Sequence, residues 1–242
     1  MGETSAFLLL TLVATALVTT CLLANQSITR AHAMARAFYI FSVAVSLAAL
    51  LYILAGELRM LPEREAYLRW LRPLLFRGWI VIGVGVSSAV LVVWNALCPP
   101  RHAGGAAVRS FITSPYVVKG LCFSVALSFF CTEIGKLGRL ADMRQFFLQS
   151  GYAEWFLYFI MIAETLGAIG LFVRRAQIPA AVGLMLIMAG AIRTHAHDGD
   201  PFSDSLEALH LLVLLVCIVT IRLLGGVVIR ERVGVAAPRL FS

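Results

Sequence analysis

Glu164 stands eleven residues into the apolar run from Ala153 to Val173. An ionisable group at bilayer depth costs about 2.5 to 3.5 kcal/mol to insert, so it turns toward other helices or a wet cavity and marks a site. A carboxyl in that position can hold or relay a proton, or pair with a buried cation; the plainer reading is a neutral packing carboxyl, hydrogen-bonded to a neighbouring helix. Glu133 and Lys136 are spaced i,i+3 and share a helix face, which gives an acid and a cationic donor side by side. His195 and His210 add imidazoles, whose ordinary pKa near 6.5 suits proton transfer. Glu164, Lys136, Glu133, His195 and His210 are therefore the candidates for ligand binding or proton relay. A second constellation, His195, His197, Asp198, Asp200, Asp204, Glu207 and His210, is dense in metal-ligating types. Of these, His195, His197, Asp198 and Glu207 would suit zinc or a similar divalent ion if they met in space. The alternative is a polar cap in which Asp198 to Asp200 turn the chain.

The elements that position these groups are membrane helices. The chain has 242 residues, 60% hydrophobic and only 14% charged, with a mean hydropathy of +0.89. A bilayer core about 30 Å thick needs around 20 apolar residues per helix. Seven spans of that length fall at 5–24, 34–56, 78–97, 116–137, 153–173, 176–194 and 207–226. No alternation of period two suggests a barrel, so the expected fold is an all-α, polytopic integral membrane helix bundle. Its N-terminal three-helix part covers 1–97, a Pro/Gly-rich linker covers 98–115, a four-helix bundle covers 116–226, and a basic tail covers 227–242. Pro62 to Arg72 mix charges with Leu68, Trp70 and Leu71, as a short interfacial helix would, although a solvated loop fits nearly as well.

Charge gives an orientation. Loops one, three and five and the tail hold eleven of the twenty Lys and Arg but one acid, Glu231, which favours an outside N-terminus and a cytoplasmic C-terminus. The net charge of +7 is explained by juxtamembrane arginines against anionic lipid, not by nucleic acid. No basic residue precedes Arg30, so the first span is expected to be retained and not cleaved. Cys21, Cys98, Cys122, Cys131 and Cys217 form no C-x-x-C pair and read as small packing residues. His32 and His102 fall outside the expected spans, so no paired axial imidazoles are expected to hold a haem in this half. Gly83, Gly85, Ser87, Ser88 and Asn95 in the third span read as close-packing positions.

Four short patterns recur in order across the C-terminal half. Ile134-Gly135-Lys136-Leu137 closes one span, with Glu133 where a further glycine is usual. A Phe-rich connector ends in Gly151-Tyr152, Ala163-Glu164 and Gly167 lie within the next span, and Thr194-His195 with Gly199-Asp200 follow the one after. In these residues the chain resembles the DoxX and DoxX-like membrane proteins over about residues 116–226; residues 1–115 lie outside the resemblance. The resemblance implies a prokaryotic plasma membrane location and a place among subunits of quinone-linked oxidoreductases or oxidative-stress assemblies; eukaryotic relatives act as chaperones of membrane proteins. The expected role is accordingly an integral membrane subunit of a respiratory or other electron-transfer complex, contacting partner membrane subunits and lipids. The chain would be non-catalytic itself, bind no covalent cofactor, and contact a quinone through Lys136 or His195 as donors and Glu164 as relay. A purely structural or chaperone role and a self-contained small-molecule enzyme or transporter are the alternatives. Depth argues against a direct pair, since Glu164 lies some 16 Å along its helix while Lys136 is near the end of its own. If Glu164 is neutral, Ser124, Ser128 or Thr132 would accept its proton.

Overall fold

The computed structural model describes residues 3–24, 27–57, 81–94, 97 and 104–233. The expected interfacial segment Pro62 to Arg72, Asn95, Cys98, His102 and the last nine residues of the basic tail lie outside them. Among the described residues the secondary structure is entirely helical: α1 Glu3–Ala24, α2 Ile28–Glu57, α3 Val81–Trp94, α4 Gly104–Ile112, α5 Pro115–Gly138, α6 Leu140–Gln149, α7 Glu154–Phe172, α8 Gln177–Asp198 and α9 Phe202–Val233. Five stretches are long and apolar enough to cross a bilayer: Ile28–Leu51, Ala106–Gly138, Glu154–Phe172, Gln177–Asp198 and Phe202–Leu224. The other two expected spans contribute the shorter apolar stretches Thr11–Leu22 and Val81–Trp94. The protein is thus an all-α membrane helix bundle.

The C-terminal unit is a ring of four helices in which α5 packs on α7, α7 on α8, α8 on α9 and α9 back on α5. Small residues set how closely these helices approach. A side chain at Gly167 of α7 would come within 2.6 Å of Leu184 on α8, and one at Gly170 within 2.7 Å of the Ala180 Cβ. Leu157, Leu171, Leu184, Leu214, Leu215 and Ile218 fill the interior and are almost fully buried. Where α7 turns into α8, buried Gln177 donates from its amide nitrogen to the Leu171 carbonyl at 2.8 Å and lies 3.5 Å from Cys122 Sγ on α5. That contact satisfies a carbonyl orphaned at the end of α7.

The N-terminal helices pack against this four-helix ring. α2 runs along α5, where Gly120 leaves room for Phe38 and Ser42, and Ser46 donates to the Ser124 hydroxyl. α3 fits between α1 and the four-helix ring: a Cβ at Gly83 would meet the Ala14 carbonyl oxygen at 2.9 Å, and one at Gly85 would meet Leu214 and Leu121. Ser87 accepts from Thr19 and donates to the Thr15 carbonyl, so these residues pack as expected.

Two expectations are corrected. Residues 104–112, assigned to the linker, form α4, whose Ala107, Val108, Phe111 and Ile112 are buried against the bundle. Gly104 and Gly105 open this helix, and its apolar face is driven inward as in any other core helix. Ser114 caps the next helix by accepting from the Tyr116 amide, with Pro115 in the first turn. His32, placed outside the second span, lies within α2, because that helix starts at Ile28 and not at 34. Its Nε2 is 2.8 Å from the Ser110 hydroxyl of α4, a partner that makes a helical position tolerable for imidazole.

Candidate functional site

α5 carries Glu133 and Lys136 one turn apart near its C-terminal end, and α7 carries Glu164 at its centre. Lys136 Nζ donates to Glu133 Oε1 at 2.7 Å and to Glu164 Oε2, so one ammonium bridges two carboxylates from two helices. The side chains of Glu133 and Glu164 are only 8% and 4% exposed and that of Lys136 is 16% exposed, which places the trio inside the bundle.

The depth objection fails because α5 and α7 do not begin and end at one level. The ten residues of α7 before Glu164 span about 15 Å, whereas only two residues of α5 follow Lys136, about 3 Å. α6 occupies the difference, and the four-carbon stem of Lys136 covers the rest. Glu164 pairs with Lys136 and not with the hydroxyls considered as its acceptors. Ser128 donates to the Ser124 carbonyl, and Thr132 lies within bonding distance of both the Ser128 carbonyl and Glu207 Oε1 of α9.

The trio has uncommon electrostatics for a membrane interior. Two carboxylates and one ammonium leave one excess negative charge, and a proton on either carboxyl neutralises the set. Glu133 Oε2 is buried with no hydrogen-bond partner among the described residues, so one oxygen stands ready to carry that proton or to meet a ligand. The ammonium has three N–H donors and uses two of them. The arrangement can therefore exchange a proton and donate to a carbonyl oxygen at the same place.

His195 finds its partners outside this trio. His195 Nδ1 is 2.7 Å from Asp200 Oδ2, and its ring packs on Phe146 at 5.7 Å between centroids. His210 lies one turn beyond Glu207 on α9 and takes no part in either ion pair of Lys136. The metal set does not assemble: His197 is 83% exposed and bonds its neighbour Asp198, while Glu207 turns to Thr132. Among the described residues no three His, Cys, Asp or Glu side chains are placed to share an ion. Helix α8 ends at Gly199, with φ +76°, and the Asp200 amide bonds back to the His195 carbonyl, so this segment is the polar turn that was the alternative.

Sequence reading did not anticipate the ties between the connector and the helix ends. α6 is an amphipathic helix with no buried residue, held by Ser150 donating to Asp198 and by the Tyr152 hydroxyl 2.9 Å from that of Thr194. Arg144 on α6 meets Glu154 at 3.0 Å and the Tyr158 hydroxyl on α7. The Tyr158 hydroxyl and the Glu154 carboxylate push the Arg144 pKa further above its ordinary value, so it remains a cation. Phe146, Phe147, Tyr152, Phe156 and Phe159 form a chain of ring contacts over the start of α7, with Trp155 and Phe159 exposed as in an interfacial aromatic belt.

These features define a multi-pass helical membrane protein with a charged trio enclosed between two of its helices. Within it, residues 120–220 match the model of the DoxX-like family, a region that includes every residue of the trio. Residues 1–119 lie outside the match. No curated protein and no solved structure matches the chain.

Proposed function

We propose that the protein is an integral membrane subunit of a quinone-linked electron-transfer complex, in which Lys136, Glu133 and Glu164 form an acid–base site that serves a lipid-soluble substrate. The bridging of two buried carboxylates by one ammonium is the observation that carries this reading. Reduction of a quinone to a quinol adds two electrons and two protons, so a subunit that offers a donor for a carbonyl oxygen and a protonatable carboxyl within the bilayer supplies what the reaction needs. The unpartnered oxygen of Glu133 and the third N–H of Lys136 fit such a head group. The electrons come from a partner subunit.

The exposed apolar residues of α7, Trp155, Phe159, Ile162, Leu166 and Ile169, supply a face for lipid or for that partner. The charge balance of the loops supports a cytoplasmic C-terminus, and the likeness to DoxX-like proteins supports a prokaryotic plasma membrane setting. A scaffold without redox chemistry is the second reading, favoured by the same ion pairs, because they also tie α5 to α7. Extraction of the native membrane in mild detergent followed by native mass spectrometry separates the two. Co-purification of a chain carrying haem, flavin or metal, with a bound quinone, supports the proposal; recovery with partners that carry no redox centre rejects it.

A further inference from the structure

We propose that the end of the bundle formed by the starts of α2 and α5 together with α4 holds the phosphate of an anionic phospholipid, with Arg36 and Arg109 as its ligands. The argument begins with a deficit of anions. Arg30, Arg36, Arg109, Lys119, Arg174 and Arg222 all lie at this end, and no described side chain there is a carboxylate. Glu133, Asp142, Glu154, Asp198, Asp200, Asp204 and Glu207 are all at the opposite end. The next acid along α9, Glu231, is nine residues beyond Arg222, about 13 Å along the axis.

Two of these arginines are partly withdrawn into the protein, with no counter-charge among the described residues. The Nε atoms of Arg109 and Arg222 are buried and have no hydrogen-bond partner among the described residues. A buried guanidinium is tolerated when an anion meets it, and its planar donors match phosphate oxygens. At a membrane surface the abundant anion is the lipid phosphate, and basic recesses between helices on the cytoplasmic side take anionic head groups.

The recess is built around His32. Its bond to Ser110 places α2 beside Arg109, the residue preceding Ser110 on α4. Arg36 follows one turn later on α2 and stands over the Tyr116 ring at 5.5 Å, which holds the guanidinium beside the start of α5. Beside these contacts a groove of about 670 Å³ runs along α2, with Thr29, His32 and Arg36 as its polar residues and Ile28, Ala33, Ala37 and Ile40 as its apolar ones. Three potential donors beside apolar residues on one helix suit a phosphodiester whose acyl chains run along the exposed face of α2.

The test uses the full chain in mild detergent, titrated separately with phosphatidylglycerol, phosphatidylcholine and inorganic phosphate, while thermal unfolding and retained lipid are followed. Phosphatidylglycerol is expected to raise Tm and remain bound, and the other two to do neither. The double substitution Arg36→Gln, Arg109→Gln is expected to weaken phosphatidylglycerol binding on the order of tenfold or more. Equal stabilisation by phosphatidylcholine, saturation by inorganic phosphate alone, or full lipid retention by the double variant would overturn the proposal. Because α4 is tightly packed and the variant can misfold, wild-type protein is also labelled with a photoactivatable phosphatidylglycerol. Adducts on residues 28–40 or 106–119 support the site, and adducts confined to other segments refute it.

Discussion

Lys136 and Glu164, 28 residues apart in sequence and on different helices, form an ion pair in the interior of the bundle, and Glu133 completes it from the turn before Lys136. The consequences of removing each partner are unequal. Lys136→Met leaves two buried carboxyls with no cation, whereas Glu164→Gln leaves a lysine still paired with Glu133. We expect Lys136→Met to cost about 3–5 kcal/mol and Glu164→Gln clearly less. Thermal unfolding of the two variants in the same detergent measures the difference. Equal losses would show that the three charges do not act as a set.

Helix α7 approaches α8 through two glycines whose surroundings differ. Gly167 faces the flexible end of Leu184, while Gly170 faces the Ala180 Cβ, which has no rotamer to change. Gly170→Ala should therefore destabilise by about 1–3 kcal/mol and Gly167→Ala by less. Gly183→Ala serves as the control, because nothing lies within 4 Å of its added methyl. A loss of stability in Gly183→Ala as large as that in Gly170→Ala would contradict this packing.

Gln177 satisfies the Leu171 carbonyl from within the core. Replacing it with leucine keeps the bulk and leaves that carbonyl unpaired, at a cost of about 1–3 kcal/mol. Chemical or thermal unfolding reads this directly, and an unchanged midpoint would mean the bond is dispensable.

The connector α6 is anchored by few contacts, among them Ser150 with Asp198 and Tyr152 with Thr194. The double variant Asp198→Ala, Thr194→Val should speed amide hydrogen exchange across residues 140–152 while leaving α5 and α7 protected. Uniform acceleration over all three helices would instead assign these bonds to global stability.

How much of this was legible in the sequence follows from which forces act locally. An acid in a long apolar run must turn inward, so Glu164 was recognisable by cost alone, and it is 3% exposed. The i,i+3 spacing of Glu133 and Lys136 likewise reports a shared face. The contact between Lys136 and Glu164 was hidden, because residue counts along each helix do not reveal that α6 offsets the ends of α5 and α7. Histidines and acids clustered near residue 200 looked like a ligand set, yet a helix end with Gly199 at positive φ sends His197 outward and His195 toward Asp200. Spacing in a turn does not define direction. α4 was missed because its nine residues open with two glycines, and a short buried helix has too few turns to announce its period.

The central claim is that the buried trio handles protons for an electron-transfer complex. It is tested most directly by quinol-linked turnover of the native assembly carrying Glu164→Gln, measured per assembled complex. The account predicts normal assembly with turnover reduced at least about tenfold, the loss of a positioned acid–base group. Unchanged turnover in a fully assembled Glu164→Gln complex would contradict it.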